Sequence, residues 1–403
     1  MRISDKLTAP PLSIVSCHAG AIEATTGRRM NFSRRFTWEV QPNALSLARK
    51  AVEASGRRIL DLTISNPTKA GIRYPEDLLA GLSDPRALQY DPQAAGLLAT
   101  REAVAEYYAD LGAVVHPDQI VLTASTSEAY HYLFKLMADP GDEILVPRPS
   151  YPLFEFLAGL ELLDTVNYPT DSPDPCNLAT NRTRALVTVH PNNPTGEYLT
   201  DAKARSLASR CAALRMGLIV DEVFLDYRLL PGPTHTMAQH EAGGVFVLSG
   251  LSKVCAMPQM KLGWMVLTGE RQAAVRDRLE LLADTYLSVS APVQWASVAW
   301  LRRRAEIQTP ILERIRENSQ NLQEMLSGSG ISFHPPQGGW TAVVYLPSTI
   351  DEEVLALRLL TDACVLVQPG YFYDFSSGAR LVISLLTTPE DLETGIERLK
   401  AAI

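Results

Sequence analysis

The sequence predicts an α/β fold with a mostly parallel sheet flanked by helices, followed by a smaller α+β part. Short apolar runs alternate with helical patterns from residue 120 to residue 267, which is the spacing of right-handed βαβ units. The runs are continuously apolar, as expected of strands that are covered on both faces. After residue 290, long helical stretches give way to short strands around one helix. This change indicates a second unit that is built differently from the first.

The elements follow from apolar periodicity and from turn residues. A helix at 43–55 and a strand at 59–64 come first, then helices at 78–82 and 97–111. The alternating part contains predicted strands at 120–123, 143–146, 185–189, 217–220, 245–248 and 263–267, helices at 128–137 and 201–215, and a loop at 167–183. The C-terminal part contains predicted helices at 271–287, 291–326 with a break near Pro310, 352–361 and 391–403, and strands at 331–333, 341–346, 364–367 and 379–385.

The composition is that of an ordinary globular protein. The chain of 403 residues carries 37 Lys and Arg against 45 Asp and Glu, a net charge of −8, without the basic stripe that a nucleic-acid partner would require. No window approaches eighteen consecutive apolar residues, which predicts no membrane span. The five cysteines are scattered and form no CxxC pair. This pattern argues against a disulfide framework and a zinc site, and it favours a reducing, cytoplasmic setting.

The chain is long enough for two domains. We expect residues 76–294 to form a large domain, and residues 30–75 together with 295–403 to form a small one. The first 29 residues contain no long apolar stretch of the kind found in secretory signals. We expect them to be a disordered extension or a mis-assigned start that precedes Met30.

One lysine is distinguished by its surroundings. Lys253 follows an apolar strand and a Ser-Gly turn, and a second apolar run begins at Gly263. An ammonium group among apolar neighbours is costly to desolvate, so its pKa falls toward the range in which the free amine attacks a carbonyl. Such a Schiff base is what pyridoxal phosphate requires of its protein. A snorkelling lysine at a strand end is the competing interpretation.

Four further residues would complete a site for this cofactor. Asp221 ends an apolar strand, where a buried carboxylate could keep the pyridine nitrogen protonated. Asn193 could donate to the phenolate oxygen of the ring, and Arg380 could grip an α-carboxylate with two parallel hydrogen bonds. Tyr151 could lie against the ring face. Singly they could be a helix cap, a turn residue, a surface charge and a core aromatic, but their joint occurrence favours the site.

The turn after the strand at 120–123 could bind a phosphate group. Ser125, Thr126 and Ser127 precede a helix, where backbone N–H groups and the positive end of the helix dipole converge. A plain helix cap is the alternative interpretation.

Motifs occur along the chain in the order YDPQAAG, TASTSEA, PGDEILVPRPSYP, HPNNPTG, DEVF, SGLSK and ARLVIS. Together they resemble the class I and II aminotransferases, pyridoxal phosphate enzymes of fold type I, from about residue 35 to the end. The resemblance implies a seven-stranded type of sheet and a large domain that binds the cofactor. It also implies ping-pong transfer of an amino group from an L-amino acid to a 2-oxo acid.

The resemblance also assigns roles to individual residues. It implies that Lys253 is the Schiff-base lysine and carries the proton between Cα and C4′. Tyr90 matches a tyrosine that reaches the phosphate of the partner subunit, so a homodimer with shared active sites is implied. Ser65 falls where a glycine usually lies beneath the substrate carboxylate. The remaining assignments follow the roles above: Asp221, Asn193, Tyr151 and Arg380 at the ring and substrate, and Ser125, Thr126 and Ser127 at the phosphate.

Two departures from the family pattern affect the phosphate. Lys261 stands where the family usually has a phosphate-binding arginine, eight residues after the lysine. Gly250 stands where a serine is common, and Ser249 or Ser252 could substitute for it. Neither departure removes positive charge from the site.

A third departure concerns the cofactor ring. Phe224 stands where the family usually has a tyrosine, three residues after the aspartate. The hydroxyl that would bond the phenolate oxygen is therefore missing, unless Tyr227 folds back toward the ring.

Other functions are less consistent with the sequence. A GxSxG nucleophile and a glycine-rich dinucleotide fingerprint are both absent, which argues against a hydrolase and a dehydrogenase. A β-lyase acting on cysteine conjugates, or a decarboxylase, would use the same lysine, aspartate and arginine. A catalytically silent relative is a further alternative.

The sequence does not specify the substrate. A second arginine could bind a side-chain carboxylate, and aromatic residues expected near the substrate would instead favour an apolar side chain. The candidate arginines are Arg276, Arg278 and Arg302–Arg304, and the aromatic residues are Trp340, Tyr371, Phe372 and Tyr373.

Overall fold

The computed structural model describes residues 31–36, 38, 41–232, 234–240, 243–269 and 272–403. The predicted N-terminal extension at 1–29 lies outside these residues. The strands are β1 (Leu60–Asp61), β2 (Ile120–Thr123), β3 (Glu143–Arg148), β4 (Asp164–Pro169), β5 (Thr183–Val189), β6 (Gly217–Asp221), β7 (Val245–Gly250), β8 (Gly263–Thr268), β9 (Ser332–Phe333), β10 (Thr341–Tyr345), β11 (Val365–Leu366), β12 (Gln368–Pro369) and β13 (Arg380–Ser384). The α-helices are α1 (Ala44–Ala54), α2 (Leu98–Asp110), α3 (Thr126–Met137), α4 (Phe154–Leu160), α5 (Asp201–Ala213), α6 (Leu251–Val254), α7 (Gln272–Tyr286), α8 (Ala291–Arg302), α9 (Arg304–Leu326), α10 (Glu352–Thr361) and α11 (Pro389–Ala401).

The largest sheet has seven strands in the order β2-β8-β7-β6-β5-β3-β4. Strand β8 runs antiparallel to both of its neighbours, and the other pairs are parallel. Helix α4 connects β3 to β4, and helix α5 connects β5 to β6. The predicted α/β class and its mostly parallel sheet are confirmed.

Both faces of this sheet are covered, as the continuous apolar runs predict. Along β6, Leu218 and Val220 join one hydrophobic cluster, whereas Ile219 between them joins a second cluster. Successive side chains of a strand point to opposite faces, so the two clusters are the layers on either side of the sheet.

The edge strand β4 was not expected from the sequence, which predicted a loop at 167–183. The strand is only partly buried, with Tyr168 as its one buried residue. An edge strand has a neighbour on one side only and is less covered, so it lacks the apolar run by which the inner strands were recognised. A loop does follow the strand.

The predicted break near Pro310 is misplaced. Proline removes a backbone donor and crowds the preceding turn of a helix, yet α9 continues through it, and α8 and α9 are separated at Arg303 instead. Three buried residues at four-residue spacing, Ile307, Ile311 and Ile315, hold this part of α9 against the core. Tertiary packing therefore overrides the local cost of the proline.

The C-terminal strands form a four-stranded sheet in the order β12-β13-β10-β9. Its β10 and β13 pair antiparallel, with Thr341 opposite Ser384 and Tyr345 opposite Arg380. Strand β1 pairs in parallel with β11, which brings the N-terminal segment beside the C-terminal one. Helix α1, β10 and β13 thereby come to lie on one side of a cavity.

Candidate active site

A cavity of about 490 Å³ opens at the carboxyl ends of the inner parallel strands. Ligands of open α/β sheets bind at this edge, because the connecting loops diverge there. The second wall comes from α1, β10 and β13. The predicted site residues that line the cavity are Ser65, Thr126, Ser127, Tyr151, Asn193, Asp221, Phe224, Ser252 and Lys253. Those outside its lining are Tyr90, Ser125, Lys261 and Arg380.

Lys253 lies in the short helix α6, which follows directly from β7. Its Nζ is 5.2 Å from the ring centroid of Phe224 and 4.9 Å from that of Trp340. Desolvation by the surrounding protein lowers the pKa of Lys253 to about 8, although the Asp221 charge acts in the opposite direction. About a tenth of the amine is therefore uncharged at pH 7, far more than for an ordinary lysine, and the uncharged amine is the nucleophile.

Asp221 is the last residue of β6, and two groups donate to its carboxylate. The backbone N–H of Val223 donates to Oδ1 over 3.1 Å, and the Tyr130 hydroxyl donates to Oδ2 over 3.1 Å. Desolvation raises the pKa of Asp221 to about 6, whereas these two bonds and the charge of Lys253 lower it. The bonds therefore favour the ionised carboxylate that a pyridinium nitrogen would need.

Tyr130 is a site residue that the sequence reasoning missed. It lies in α3, lines the cavity and is 3% exposed. Its spacing of three residues from Ser127 places both side chains on one helical face. That spacing from the predicted phosphate turn was the available signal.

The phosphate turn joins β2 to α3. Ser125 is the N-cap of α3, and its Oγ accepts from the backbone N–H of Glu128 over 3.2 Å. The hydroxyl of Ser125 thus acts as a helix cap, while Thr126 and Ser127 face the cavity at the positive end of a twelve-residue helix. The lysine predicted for the phosphate, Lys261, is exposed and does not line the cavity.

Close backbone packing explains why Gly250 replaces a serine. Gly250 pairs with Gly263, and a Cβ at residue 250 would lie 2.9 Å from the Gly263 Cα. A Cβ at Gly263 would in turn lie 3.0 Å from the carbonyl carbon of Ser125. Two glycines therefore allow β7 and β8 to reach the phosphate turn. Of the two substitutes considered, Ser252 lines the cavity, and Ser249 is buried away from it.

The ring side of the cavity has no hydroxyl from residues 224 and 227. Phe224 lines the cavity and packs edge-on against Trp340, with ring centroids 5.3 Å apart. The hydroxyl of Tyr227 donates to the backbone carbonyl of Lys253 over 2.7 Å. Tyr227 therefore does not fold back toward the cavity. Asn193 lines the cavity, and its Oδ1 accepts from the Thr341 hydroxyl over 3.5 Å.

The structure does not bring Arg380 to the cavity. Its guanidinium lies 4.7 Å from the Phe375 ring centroid and 5.2 Å from that of Tyr345, and it donates to the Ser377 and Gly378 carbonyl oxygens. The cavity meets the other end of β13, at Ser384. Four residues of strand correspond to about 13 Å, so Arg380 lies outside the cavity lining, and its grip on a substrate carboxylate stays a prediction.

Some of the other residues predicted to contact the substrate line the cavity, and the rest lie outside it. Trp340, Phe372 and Tyr373 line the cavity, whereas Tyr371 does not. The five candidate arginines also lie outside its lining, and each bonds elsewhere. Arg276 pairs with Asp118 and Glu280, Arg278 with the Ala274 carbonyl, Arg302 with Glu106, Arg303 with Asp77 and Glu306, and Arg304 with Asp110.

These residues fit pyridoxal phosphate. An amine with a lowered pKa, a carboxylate held by two donors and a hydroxyl-bearing helix N-terminus border one cavity. In the described part of the chain, no group of three His, Cys, Asp or Glu side chains could hold a metal ion. The fold and the site together define an enzyme of the pyridoxal phosphate class.

The chain belongs to the class I and II aminotransferases, because that family model matches residues 59–399. The alanine aminotransferase of Mycobacterium tuberculosis is 29% identical over 371 residues, 86% of each chain. The probable aspartate/prephenate aminotransferase of Thermus aquaticus is 27% identical over 379 residues, 91% of this chain and 96% of the relative. The solved alanine aminotransferase of Pyrococcus furiosus superposes with a TM-score of 0.82 at 26% identity, covering 89% of this chain and 95% of the other.

The protein is therefore a pyridoxal phosphate-dependent aminotransferase, as the motifs predicted. Nothing in the comparisons favours the β-lyase or decarboxylase alternative. Over the described ranges, every helix is too short or too polar to cross a membrane.

Proposed function

We propose that Lys253 is the residue that bonds the cofactor and carries the proton during transfer between an L-amino acid and a 2-oxo acid. When bound, pyridoxal phosphate supplies the aldehyde that takes up the amino group and a ring that accepts an electron pair. The observation that carries this proposal is the Lys253 amine, whose pKa is lowered to about 8, in the cavity that Asp221 also lines. The amine removes a proton from Cα and returns one at C4′.

Asp221 holds the proton on the pyridine nitrogen, and Tyr130 positions Asp221. An ionised carboxylate at this point stabilises the pyridinium form, which accepts electrons best. The two donated hydrogen bonds support this role because they keep the carboxylate charged and fix its direction.

The remaining cavity residues orient the cofactor and the substrate. Thr126, Ser127 and Ser252 donate hydroxyl hydrogen bonds to the phosphate, with Ser125 capping the same helix and Lys261 adding charge nearby. Tyr151 covers the ring face, Phe224 packs beside the ring, and Asn193 donates to the phenolate oxygen. At the substrate, Asn193 and the hydroxyl of Ser65 bind the α-carboxylate in place of Arg380.

We propose a homodimer in which Tyr90 reaches the phosphate of the partner subunit. Tyr90 is 83% exposed and Leu88 is 91% exposed. Both border a second cavity of about 460 Å³ together with Leu287. Exposed apolar side chains grouped in this way are typical of a surface that another chain covers.

Mixing an inactive Lys253→Ala protein with an inactive Tyr90→Phe protein tests the shared site. Hybrid dimers would contain one intact site, so we expect activity to return as subunits exchange. Two inactive parents that exchange subunits without regaining activity would contradict the shared site.

Two further expectations remain proposals. A cytoplasmic setting is supported by Cys176, Cys211, Cys255 and Cys364, which are all buried free thiols. The division into a large domain at 76–294 and a small one at 30–75 with 295–403 is supported by the pairing of β1 with β11.

The experiment that tests the proposed function is a panel of amino donors against pyruvate and 2-oxoglutarate, with product formation measured for the wild type and for Lys253→Ala. We expect transfer by the wild type alone. Equal rates in the two proteins would exclude Lys253 and make Lys261 the candidate.

A further inference from the structure

Two buried cysteines contact each other away from the active-site cavity. The Sγ atoms of Cys176 and Cys211 lie 3.9 Å apart, although the residues are 35 positions apart in the chain. Cys176 is 3% exposed and Cys211 is 1% exposed. The other two described thiols lie elsewhere: Cys255 donates to the Trp300 carbonyl over 3.6 Å, and Cys364 stands just before β11.

An ion pair holds the segment of Cys176 against α5. Cys176 belongs to a short 3₁₀ helix, Pro175–Leu178, and Cys211 belongs to the last turn of α5. Arg210 Nε donates to Asp174 Oδ2 over 2.9 Å, and Asp174 Oδ1 accepts from the backbone N–H of Cys176 over 3.0 Å. Asp174 therefore links the start of the short helix to α5, one residue before Cys211.

The two thiols differ in how easily they ionise. A hydrogen bond from Cys211 lowers the pKa of Cys176, although burial acts in the opposite direction. The same bond, together with burial, raises the pKa of Cys211. Because the thiolate is the form that attacks an oxidant, Cys176 is the thiol that reacts first. Cys211 is then in position to react with the product.

A small movement would bring the two sulfurs into bonding distance. A disulfide has about 2.05 Å between its sulfurs, so an approach of about 1.9 Å from the observed 3.9 Å is needed. Helix α5 is anchored along 13 residues, four of them buried. The 3₁₀ helix has four residues, of which Asn177 and Leu178 are exposed. The shorter element therefore has less packing to lose when it moves.

We propose that Cys176 and Cys211 are a redox modification site, at which a hydroperoxide produces a reversible disulfide. The Cys176 thiolate attacks one oxygen of hydrogen peroxide, so that an S–O bond forms and the O–O bond breaks. The leaving hydroxide takes up the proton that Cys176 released and becomes water. The Cys211 thiol then attacks the Cys176 sulfur, so that the S–S bond forms, the S–O bond breaks and a second water leaves with the Cys211 proton. Two electrons pass from the sulfurs to the peroxide.

Such a disulfide is compatible with a reducing compartment, where protein disulfides are transient and respond to oxidants. The bond would fasten the segment that follows the edge strand β4 to α5. A cross-link restricts the unfolded chain, so the oxidised protein should resist unfolding better than the reduced one. The proposal is independent of the reaction at Lys253, because neither Cys176 nor Cys211 lines that cavity.

Peptide mapping by mass spectrometry tests the site in wild-type holoenzyme treated with hydrogen peroxide. We expect a peptide pair joined through Cys176 and Cys211, lighter by two hydrogen atoms than the separate peptides. Two of the five thiols should be lost, and dithiothreitol should restore both. Cys255 and Cys364 are the internal controls, because they are buried thiols of the same chain and should stay reduced.

Two variants separate the steps of the reaction. In Cys211→Ser, oxidation should stop at the sulfenic acid of Cys176, which dimedone captures. In Cys176→Ser, dimedone should give no adduct at Cys211. Peroxide should raise the urea midpoint of unfolding of the wild type, and it should leave the midpoint of either variant unchanged.

Three results would overturn the proposal. They are peroxide-treated wild type that contains no peptide pair joined through Cys176 and Cys211, a link from either thiol to a different cysteine, and oxidation of Cys255 or Cys364 to the same extent as the pair. The test measures no amino transfer, so its failure is distinct from failure of the proposed function.

Discussion

The two walls of the active-site cavity differ in how far the sequence specifies them. The wall formed by the seven-stranded sheet contains Asp221, at the end of β6, and Lys253, just after β7. The sequence predicted that these two residues would share one site. The outer wall comes from α1, β10 and β13, and its predicted arginine lies elsewhere. The carboxyl ends of parallel strands gather at one edge. An antiparallel pair has no such rule, so either end of β13 could have met the cavity.

The largest effect is expected on the sheet wall, at Lys253. Lys253→Ala removes the amine that bonds the cofactor and moves the proton, so turnover should fall by more than about 10⁴-fold, beyond the 10²- to 10⁴-fold of general acid–base catalysis alone. Steady-state kinetics and the visible spectrum of the holoenzyme would measure this. A folded Lys253→Ala variant that retains substantial turnover would show that the reaction does not depend on this residue of the sheet wall.

A smaller effect on the same wall is expected at Tyr130. Tyr130→Phe removes a hydrogen bond to the Asp221 carboxylate. A hydrogen bond to a charged acceptor contributes about 1.5–3 kcal/mol. The pKa of Asp221, about 6 with this bond, should rise. Because the pyridinium pairs with ionised Asp221, cofactor affinity declines as pH falls through this pKa, and the decline should begin at higher pH in the variant. Titration of apoenzyme with cofactor across pH measures the shift.

Tyr132→Phe is the matched control for Tyr130. Tyr132 is a buried tyrosine of the same helix, and its hydroxyl interacts with Glu128 and Ser288 instead of Asp221. Its removal should leave the pH dependence of cofactor binding unchanged. The same shift in both variants would show a general effect of the helix instead of a specific one on Asp221.

Phe224 tests the ring side of the sheet wall. Phe224→Tyr adds a hydroxyl that can donate to the phenolate oxygen beside Asn193, which favours the deprotonated form of that oxygen. The visible spectrum of the holoenzyme changes with pH, and the midpoint of this change should fall by about one to two pH units. This shift is equivalent to the free energy of one charge-assisted hydrogen bond. A midpoint that stays or rises would mean that residue 224 does not face this oxygen.

The smallest effect is expected on the outer wall, at Arg380. Arg380→Gln should change kcat/KM by less than about threefold for every donor, since the guanidinium lies away from the cavity. Its contacts with the rings of Phe375 and Tyr345 contribute about 0.5–1 kcal/mol to stability. Steady-state kinetics would measure the change in kcat/KM, and urea unfolding would measure the change in stability. A tenfold or greater loss of kcat/KM for monocarboxylic donors would show that Arg380 binds the α-carboxylate after all.

The sequence by itself determined the inner sheet, the family and the sheet wall of the site. Continuous apolar runs identify strands that are covered on both faces, as β6 and β7 are. Asp221 was recognisable because it ends such a run, and Lys253 because it follows another one after a short turn. Local pattern was sufficient there, since the polar residue and the strand that positions it are adjacent in the chain.

Tertiary structure alone decided the edge strand β4, the continuation of α9 through Pro310 and the outer wall. Tyr130 reaches Asp221 across 91 residues of chain, and Arg49 joins the cavity through the fold of the N-terminal segment. Arg380 stands at the start of a strand whose other end meets the cavity. A one-dimensional pattern shows that a residue is polar and near a strand. Which side chains converge depends on strand direction and on packing between distant segments, and these are properties of the folded chain.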